Sequence, residues 1–539
     1  NMKLKQNILF ISFLLLSLNF TSCNNNGKEL FTNKSEYLTN EDIFIKAYAS
    51  NKEAWVGLYR KDDQIEYEKD GVKKTTDSIR WYYVNDNNHS SGEEYSIQHY
   101  GTLNESRKAF ENLPAGYYKV VLFEKDYKIK EQVDIKITTK KLKRPDAPIS
   151  ATYTLKKNNG FADGTISLNF DKDNFYATDV IMYWANEEGI LENYTSLAKM
   201  KVSNYECNID LRTSSLIPTE ATKLYIYAEN NAGISENYYV IDLPENCQFK
   251  NKSTLLSRFQ VVSDVHIAIN DTHLASSDAK TLHDEHFNLM CKDITDFGSS
   301  DALIINGDIA NSGRENEWAH TIELMNKYPT LPQTYFSLGN HDLYLGDYNT
   351  QISYFKKYAK TNSVYYEKEI NGYHHLFLGS ESSSYSSVDA YLSNEQLNWF
   401  DNKLAEYKKE NKPVFVYLHQ SLYNTVAGSL KNQGWNGITQ DEQFRNIISK
   451  YKNVLFFNGH SHWDLNSYQT MYTKDDNLPN IFNTASVAYL WSSYYLNTGE
   501  YLKGSQGYYV EVYEDKILVL GRDFTNSKWI PSACFIANI

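Results

Sequence analysis

The sequence predicts a layered α/β domain at its C-terminal end, preceded by two all-β sandwich domains. Three observations carry that prediction. The chain has 539 residues, too many for one ordinary core, and that length calls for about three domains. Two successive blocks before residue 250 alternate apolar and polar side chains with period two. From residue 251 onward, apolar strands alternate instead with helical stretches.

The first block supplies "DIFIKAYA", "WVGLYRK", "SIRWYYV", "YYKVVLFE" and "VDIKITT", separated by turn sequences such as "LPAG". Each run puts its apolar residues on one face, as a half-buried strand requires, and the set reads as a β-sandwich over 23–144. "KRPDAP" carries two prolines and reads as a linker. A second set, "TISLNFD", "DVIMYWAN", "YECNIDL", "TKLYIYAE" and "YYVIDLP", gives a second sandwich over 145–250. In the remaining 251–539, "RFQVVSDVH", "DALIINGD", "QTYFSLGNHD", "PVFVYLH" and "NVLFFNGHSH" are strands. "HDEHFNLMCKDITDF" and "ENEWAHTIELMNKY" are helical between them. "LSNEQLNWFDNKLAEYKKE" is a helix opened by a Ser393–Gln396 capping box and stopped before Pro413.

The N-terminal residues read as a targeting segment. Lys3 and Lys5 precede the apolar run "ILFISFLLLSLNF", which is short for a spanning helix. Thr21 and Ser22 then lead to Cys23 and a polar stretch. This resembles a bacterial lipobox, with Phe20 standing where leucine is usual, and it implies a signal peptide over 1–22 and lipid on Cys23. The expectation is an exported lipoprotein, at the cell surface or in the periplasm, held to the membrane by that lipid. The net charge of −13 argues against a nucleic acid polymer as partner. Cys207, Cys247, Cys291 and Cys534 show no metal-type spacing; they can pair in an exported protein or sit as small buried apolar groups.

Chemistry concentrates at the strand ends of the last domain. The first gives Asp264 and His266, and the second Asp308. The third gives Asn340, His341 and Asp342, the fourth His419, and the fifth His460 and His462. The carboxyl edge of such a sheet is where α/β folds bind ligands. In extended chain, residues i and i+2 point the same way, so Asp264 with His266, and His460 with His462, can aim at one place. Gly307, Gly339 and Gly459 let the backbone turn there. A single HxH says little, because a lone strand-end histidine is more often structural. Five such ends in order are a constellation.

The series D-x-H, G-D, G-N-H-D, H and G-H-x-H resembles the calcineurin-like metallophosphoesterases, over roughly 255–525. The D-x-H histidine is similar to the branch related to cyclic-nucleotide phosphodiesterases. The resemblance implies two divalent metals, the first on Asp264, His266 and His462 and the second on Asn340, His419 and His460, with Asp308 bridging. It makes His341 the group beside the leaving oxygen. Asp342 either orients His341 or caps a turn. Purple acid phosphatases in this superfamily carry a ligand tyrosine three residues after the G-D aspartate; Asn311 stands there, so a tyrosinate–iron site is not expected. Ligands of nitrogen and oxygen without thiolate suit Mn, Fe or Zn.

The implied activity is hydrolysis of phosphodiester bonds in nucleotides or similar small phosphoesters, by metal-activated hydroxide attack. A phosphomonoesterase on the same site is the enzymatic alternative. A surface-binding protein with a vestigial site is the alternative from another class, and the complete ligand set argues against it. Asn311 and Arg314 are candidate substrate contacts. His273, His283 and His286 read as solvated surface, and His374 and His375 as structural. The long loops 420–440 and 484–506 hold Tyr423, Trp435, Tyr489 and Trp491, with Trp463 nearby; an aromatic wall would suit a nucleobase, while packing is the plainer role in a chain with 44 tyrosines.

Overall fold

The computed structural model describes residues 27–85, 90–211, 215–270, 279–385, 387–431, 433–435, 437–492 and 500–537. Cys23, the apolar segment before it, and His273 lie outside them. Among the described residues, no helix is long and apolar enough to cross a membrane.

The described residues before 243 are all-β, with only short helical pieces. Its first part pairs strands into a three-stranded and a six-stranded sheet, whose facing apolar side chains (Ile45, Val56, Leu58, Val120, Leu122, Ile135) make one core. The second part repeats the plan around Trp184, Ile166, Met182 and Ile226. The period-two runs supply these side chains, because alternate residues of a strand share a face.

The last domain has four layers. In one sheet, the strands Thr334–Ser337, Ala302–Asn306 and Leu255–Val262 run parallel, followed by antiparallel Gln506–Tyr513, Ile517–Asp523 and Lys528–Ala537. The other sheet has the order Tyr366–Ile370, Tyr373–Phe377, Val414–Tyr417, Val454–Asn458, Asn480–Asn483, Met471–Tyr472. The sheets meet through Phe259, Val261, Ile304, Phe377, Phe415, Leu455, Phe457 and Val510. Strands buried on both faces read as continuous apolar runs, which is why "ALIIN" and "VLFF" do not alternate. Helices Ala279–Phe297, Glu315–Met325 and Tyr348–Ala359 cover the first sheet through Phe287, Trp318 and Phe355. Helices Asn394–Tyr407 and Asp441–Ile448 cover the second through Phe400 and Phe444. Ser393 caps its helix by accepting from the Gln396 N–H.

The second β region is joined to this domain by backbone hydrogen bonds. Thr195 N–H donates to the Trp529 carbonyl (2.8 Å), Trp529 N–H to Asn193 (2.8 Å), and Leu216 N–H to Cys534 (2.9 Å). These contacts cover part of the edge strand Lys528–Ala537. The four described cysteines are free, and three of them are buried. His375 is buried with Nδ1 2.9 Å from the Tyr417 hydroxyl, and His374 stacks on Tyr407 at 3.5 Å, so both are structural.

Candidate metal centre

The parallel strands of both sheets end on the same edge of the domain, and the loops leaving them converge. Asp264 and His266 follow Leu255–Val262, Asp308 follows Ala302–Asn306, and Asn340 follows Thr334–Ser337. His419 follows Val414–Tyr417, and His460 and His462 follow Val454–Asn458. All seven side chains are at least nine-tenths buried.

The backbone reaches this arrangement through strain and not through extension. Asp264, His266, Asp308, His460 and His462 have φ of 56°, 43°, 52°, 69° and 57°, a left-handed region costly for side chains other than glycine. The expectation that the i, i+2 pairs converge because the chain is extended is therefore corrected: turns converge them. Two glycines make room. A Cβ on Gly339 would lie 2.1 Å from the Asp308 nitrogen, and one on Gly459 would lie 1.9 Å from Ser263 Oγ.

The ligand atoms form two groups that share a wall. His462 Nε2 is 3.0 Å from both His266 Nε2 and Asp264 Oδ1. His266 Nε2 is 3.7 Å from Asp264 Oδ1 and 3.6 Å from Asp308 Oδ2. On the other side, His419 Nε2 is 3.1 Å from Asp308 Oδ2, and His460 Nδ1 is 2.8 Å from Asn340 Oδ1. Asp264, His266 and His462 form one group able to hold an ion, and Asp308, His419 and His460 another; His341 lies close enough to His266 and Asp308 to make a third. Ligands about 2.0–2.1 Å from one ion stand roughly 3–3.5 Å apart, so these spacings fit a cation in each group. Asp264 Oδ1 and His419 Nε2 are buried and face only other candidate ligand atoms, His462 Nε2 and Asp308 Oδ2, an arrangement that a cation would satisfy.

Neighbouring backbone atoms fix the imidazoles. His419 Nδ1 donates to the Asn306 carbonyl (2.8 Å) and His462 Nδ1 to the Tyr489 carbonyl (3.1 Å), which turns each Nε2 inward. Protonation states suit ligands as well. Burial opposes the charge on Asp264, but His462 and His419 outweigh it and hold the carboxyl well below its usual range. Burial, with His341, lowers His266 to about 3; burial, with His419, lowers His460 to about 4. Burial also works against a proton on His419, yet Asp308 and Asp264 prevail and raise it to about 10. Three of these four groups are thus already in the form that binds a metal, and the fourth holds a proton a cation can replace.

His341 sits at the edge of the cluster, its ring 4.5 Å from that of His266. Its Nδ1 lies 2.7 Å from the Asn311 carbonyl, and its backbone N–H donates to Asp308 Oδ1 (2.7 Å). Asp342 does not touch this ring. Its carboxylate accepts the N–H groups of Ile309 (3.0 Å), Ala310 (2.8 Å) and Gly339 (2.8 Å), so of the two roles open to it the geometry is that of the turn cap. The Asn311 side chain is buried with Nδ2 unpaired, and Arg314 is exposed at a helix start. Trp463 is buried, and Tyr489 packs 4.4 Å from the His462 ring.

His283 and His286 are not solvated, contrary to expectation. They are 2% and 3% exposed, and their Nδ1 atoms lie 2.7 Å from the carbonyls of His266 and Ala488. Their i, i+3 spacing on one helix puts them on a common face, a signal that the polar residues around them masked.

Residues 257–464 match the profile of the calcineurin-like phosphoesterase family. No curated protein matches the chain. Among solved structures, the chain is similar to a dimetal phosphatase from Danio rerio, with 11% identity, 53% of this chain and 99% of that one covered, and a TM-score of 0.39. It is similar to a purple acid phosphatase from yellow lupin seeds, with 12% identity, 94% and 95% covered, and a TM-score of 0.40. A 5'-nucleotidase precursor from Thermus thermophilus is 11% identical over 52% of this chain and 54% of that one, with a TM-score of 0.29. The profile match falls on the segment that builds the cluster, and the chain carries a calcineurin-like phosphoesterase domain.

Proposed function

We propose that this chain is an exported, lipid-anchored phosphodiesterase that hydrolyses nucleotides or similar small phosphoesters with two divalent metals. The observation that carries the reading is the convergence of Asp264, His266, His462, Asp308, His419 and His460 in two groups able to hold an ion, with Asn340 against His460 and with His341 beside His266 and Asp308. Asp264, His266 and His462 would hold one ion; Asn340, His419 and His460 would hold the other; Asp308 would serve both. Ions of Mn, Fe or Zn bound there would supply positive charge for the phosphoryl oxygens and a water acidic enough to attack near neutral pH.

The chain's own groups do the rest. Asp264 and Asp308 stay ionised and fix the charge of the site. The Asn311 carbonyl orients the His341 ring and leaves its Nε2 to hand a proton to the departing oxygen. Asp342 holds the loops of Asp308 and Asn340 at one separation through its three accepted hydrogen bonds.

A hydrolysis panel of cyclic nucleotides, linear diesters and monoesters, run with added Mn or Zn, tests the reading. Turnover of diesters well above monoesters is expected. Preference for monoesters would move the assignment to a phosphomonoesterase, and turnover of none would overturn it. The lipobox-like motif supports the anchor, and Cys23→Ser should release the protein from membranes. Unchanged membrane retention would contradict the anchor.

A further inference from the structure

Large apolar side chains of the phosphoesterase domain are exposed in one connected set of loops. Leu345, Tyr385, Val388, Tyr391, Tyr423 and Trp435 are all at least 40% exposed. The segments that carry them are tied to one another and to the metal cluster. Leu345 follows the Asn340–His341 turn, and the Ser384 hydroxyl donates to the Asn340 carbonyl. Gln420, next to His419, donates to the Val388 carbonyl at 3.0 Å. Ala390 N–H donates to Gly437 (2.8 Å), Gly437 N–H to Ser421 (3.1 Å), and Trp435 N–H to Gly428 (2.9 Å). Isolated exposed apolar residues need no explanation, but a set gathered on the loops of a candidate active site does.

Trp435 is the member of this rim whose ring reaches a ligand. Its centroid is 5.9 Å from that of His460, at 67°, and the side chain is 43% exposed. The loop beneath it is packed: Leu422, Val426 and Ala427 are fully buried, and Ser421 Oγ donates to Asn458 Oδ1 (2.8 Å) on the strand that leads to His460. The packed segment 421–428, to which the Trp435 N–H is bonded, therefore underlies a large open indole beside the candidate second metal position. Packing does not account for that, because the tilted contact with His460 leaves much of the ring uncovered.

We infer that Trp435 is a substrate-specificity residue, stacking on a planar aromatic group of the phosphoester. The inference rests on the phosphoesterase reading and narrows its substrate class to esters with an aromatic or nucleobase-bearing substituent near phosphorus. The electron-rich indole face favours a planar ring over a saturated one of equal size.

The test compares benzyl methyl phosphate with cyclohexylmethyl methyl phosphate, which share a similar size and similarly basic leaving alcohols. The intact chain, loaded with Mn, should prefer the benzyl ester in kcat/KM by about tenfold, the scale of one stacking contact. Trp435→Leu should bring that ratio close to one, and Trp435→Phe should keep most of it. A ratio near one in the unmutated chain, or a preference that survives Trp435→Leu, would overturn the inference. Calorimetric binding of benzylphosphonate against cyclohexylmethylphosphonate separates the two readings. Hydrolysis of neither these esters nor the nucleotide and diester panel, with benzylphosphonate bound tighter and the difference lost in Trp435→Leu, would sink the proposed activity and keep the stacking site. Equal affinities would sink the stacking site whatever the activity.

Discussion

His341 Nδ1 is engaged by the Asn311 carbonyl at 2.7 Å, so the ring is oriented by backbone and not by the adjacent Asp342. With Nδ1 so engaged, Nε2 is the ring nitrogen left to act, next to His266 and Asp308. Replacing His341 by Ala should therefore leave metal content intact and lower kcat on poor leaving groups by roughly 10²–10⁴-fold, the scale of general acid–base help. The loss should shrink for nitrophenolate esters, which need little protonation. His462→Ala should instead lose metal, and activity with it. Rates on both leaving groups, with metal analysis of each variant, check this; metal loss from His341→Ala equal to that of His462→Ala would make His341 a ligand. That candidate ligands converge was legible from the sequence because each follows an apolar strand. Which atom each imidazole offers was not, because the carbonyls of Asn306 and Tyr489 that decide it come from distant positions in the chain.

Strand ends, not strands, build the site, and this is where the sequence misleads most. The extended-chain argument gave the right convergence for Asp264 with His266 by the wrong geometry, since both have positive φ, a conformation no periodicity announces. The antiparallel half of the first sheet, Gln506 to Ala537, carries no motif and so goes unseen among aromatic-rich segments. The β elements also hold a half-buried carboxyl group. Glu94, on the strand Glu94–Ser96, is pushed up to about 7 by burial, although Lys201 of the second β region and Lys46 act to lower it. Its folded pKa lies above the unfolded value of 4.5, so its stabilising contribution is complete below about 4.5 and is lost as pH rises through about 7. Thermal unfolding of the first β region should accordingly lose stability across that window, and Glu94→Gln should flatten the slope. A slope unchanged in the variant would show that Glu94 does not cause it.

Across the whole molecule, the division into all-β regions followed by an α/β domain was readable from two periodicities, because alternation and strand–helix alternation are properties of composition along the chain. How the parts touch was not readable. The backbone bonds from Asn193, Thr195 and Leu216 to the edge strand Lys528–Ala537 depend on surfaces that no local pattern encodes. They make the second β region a cover for that sheet edge, a place where an unpaired strand would invite association. What the molecule does still turns on the cluster that all these layers position. The most direct measurement is the metal content of the full chain, purified without chelator and then equilibrated with a modest excess of Mn or Zn. The account predicts about two ions per chain, with His462→Ala and His419→Ala each giving less. A reproducible value near zero in the unmutated chain, with no activation by either metal, would contradict it.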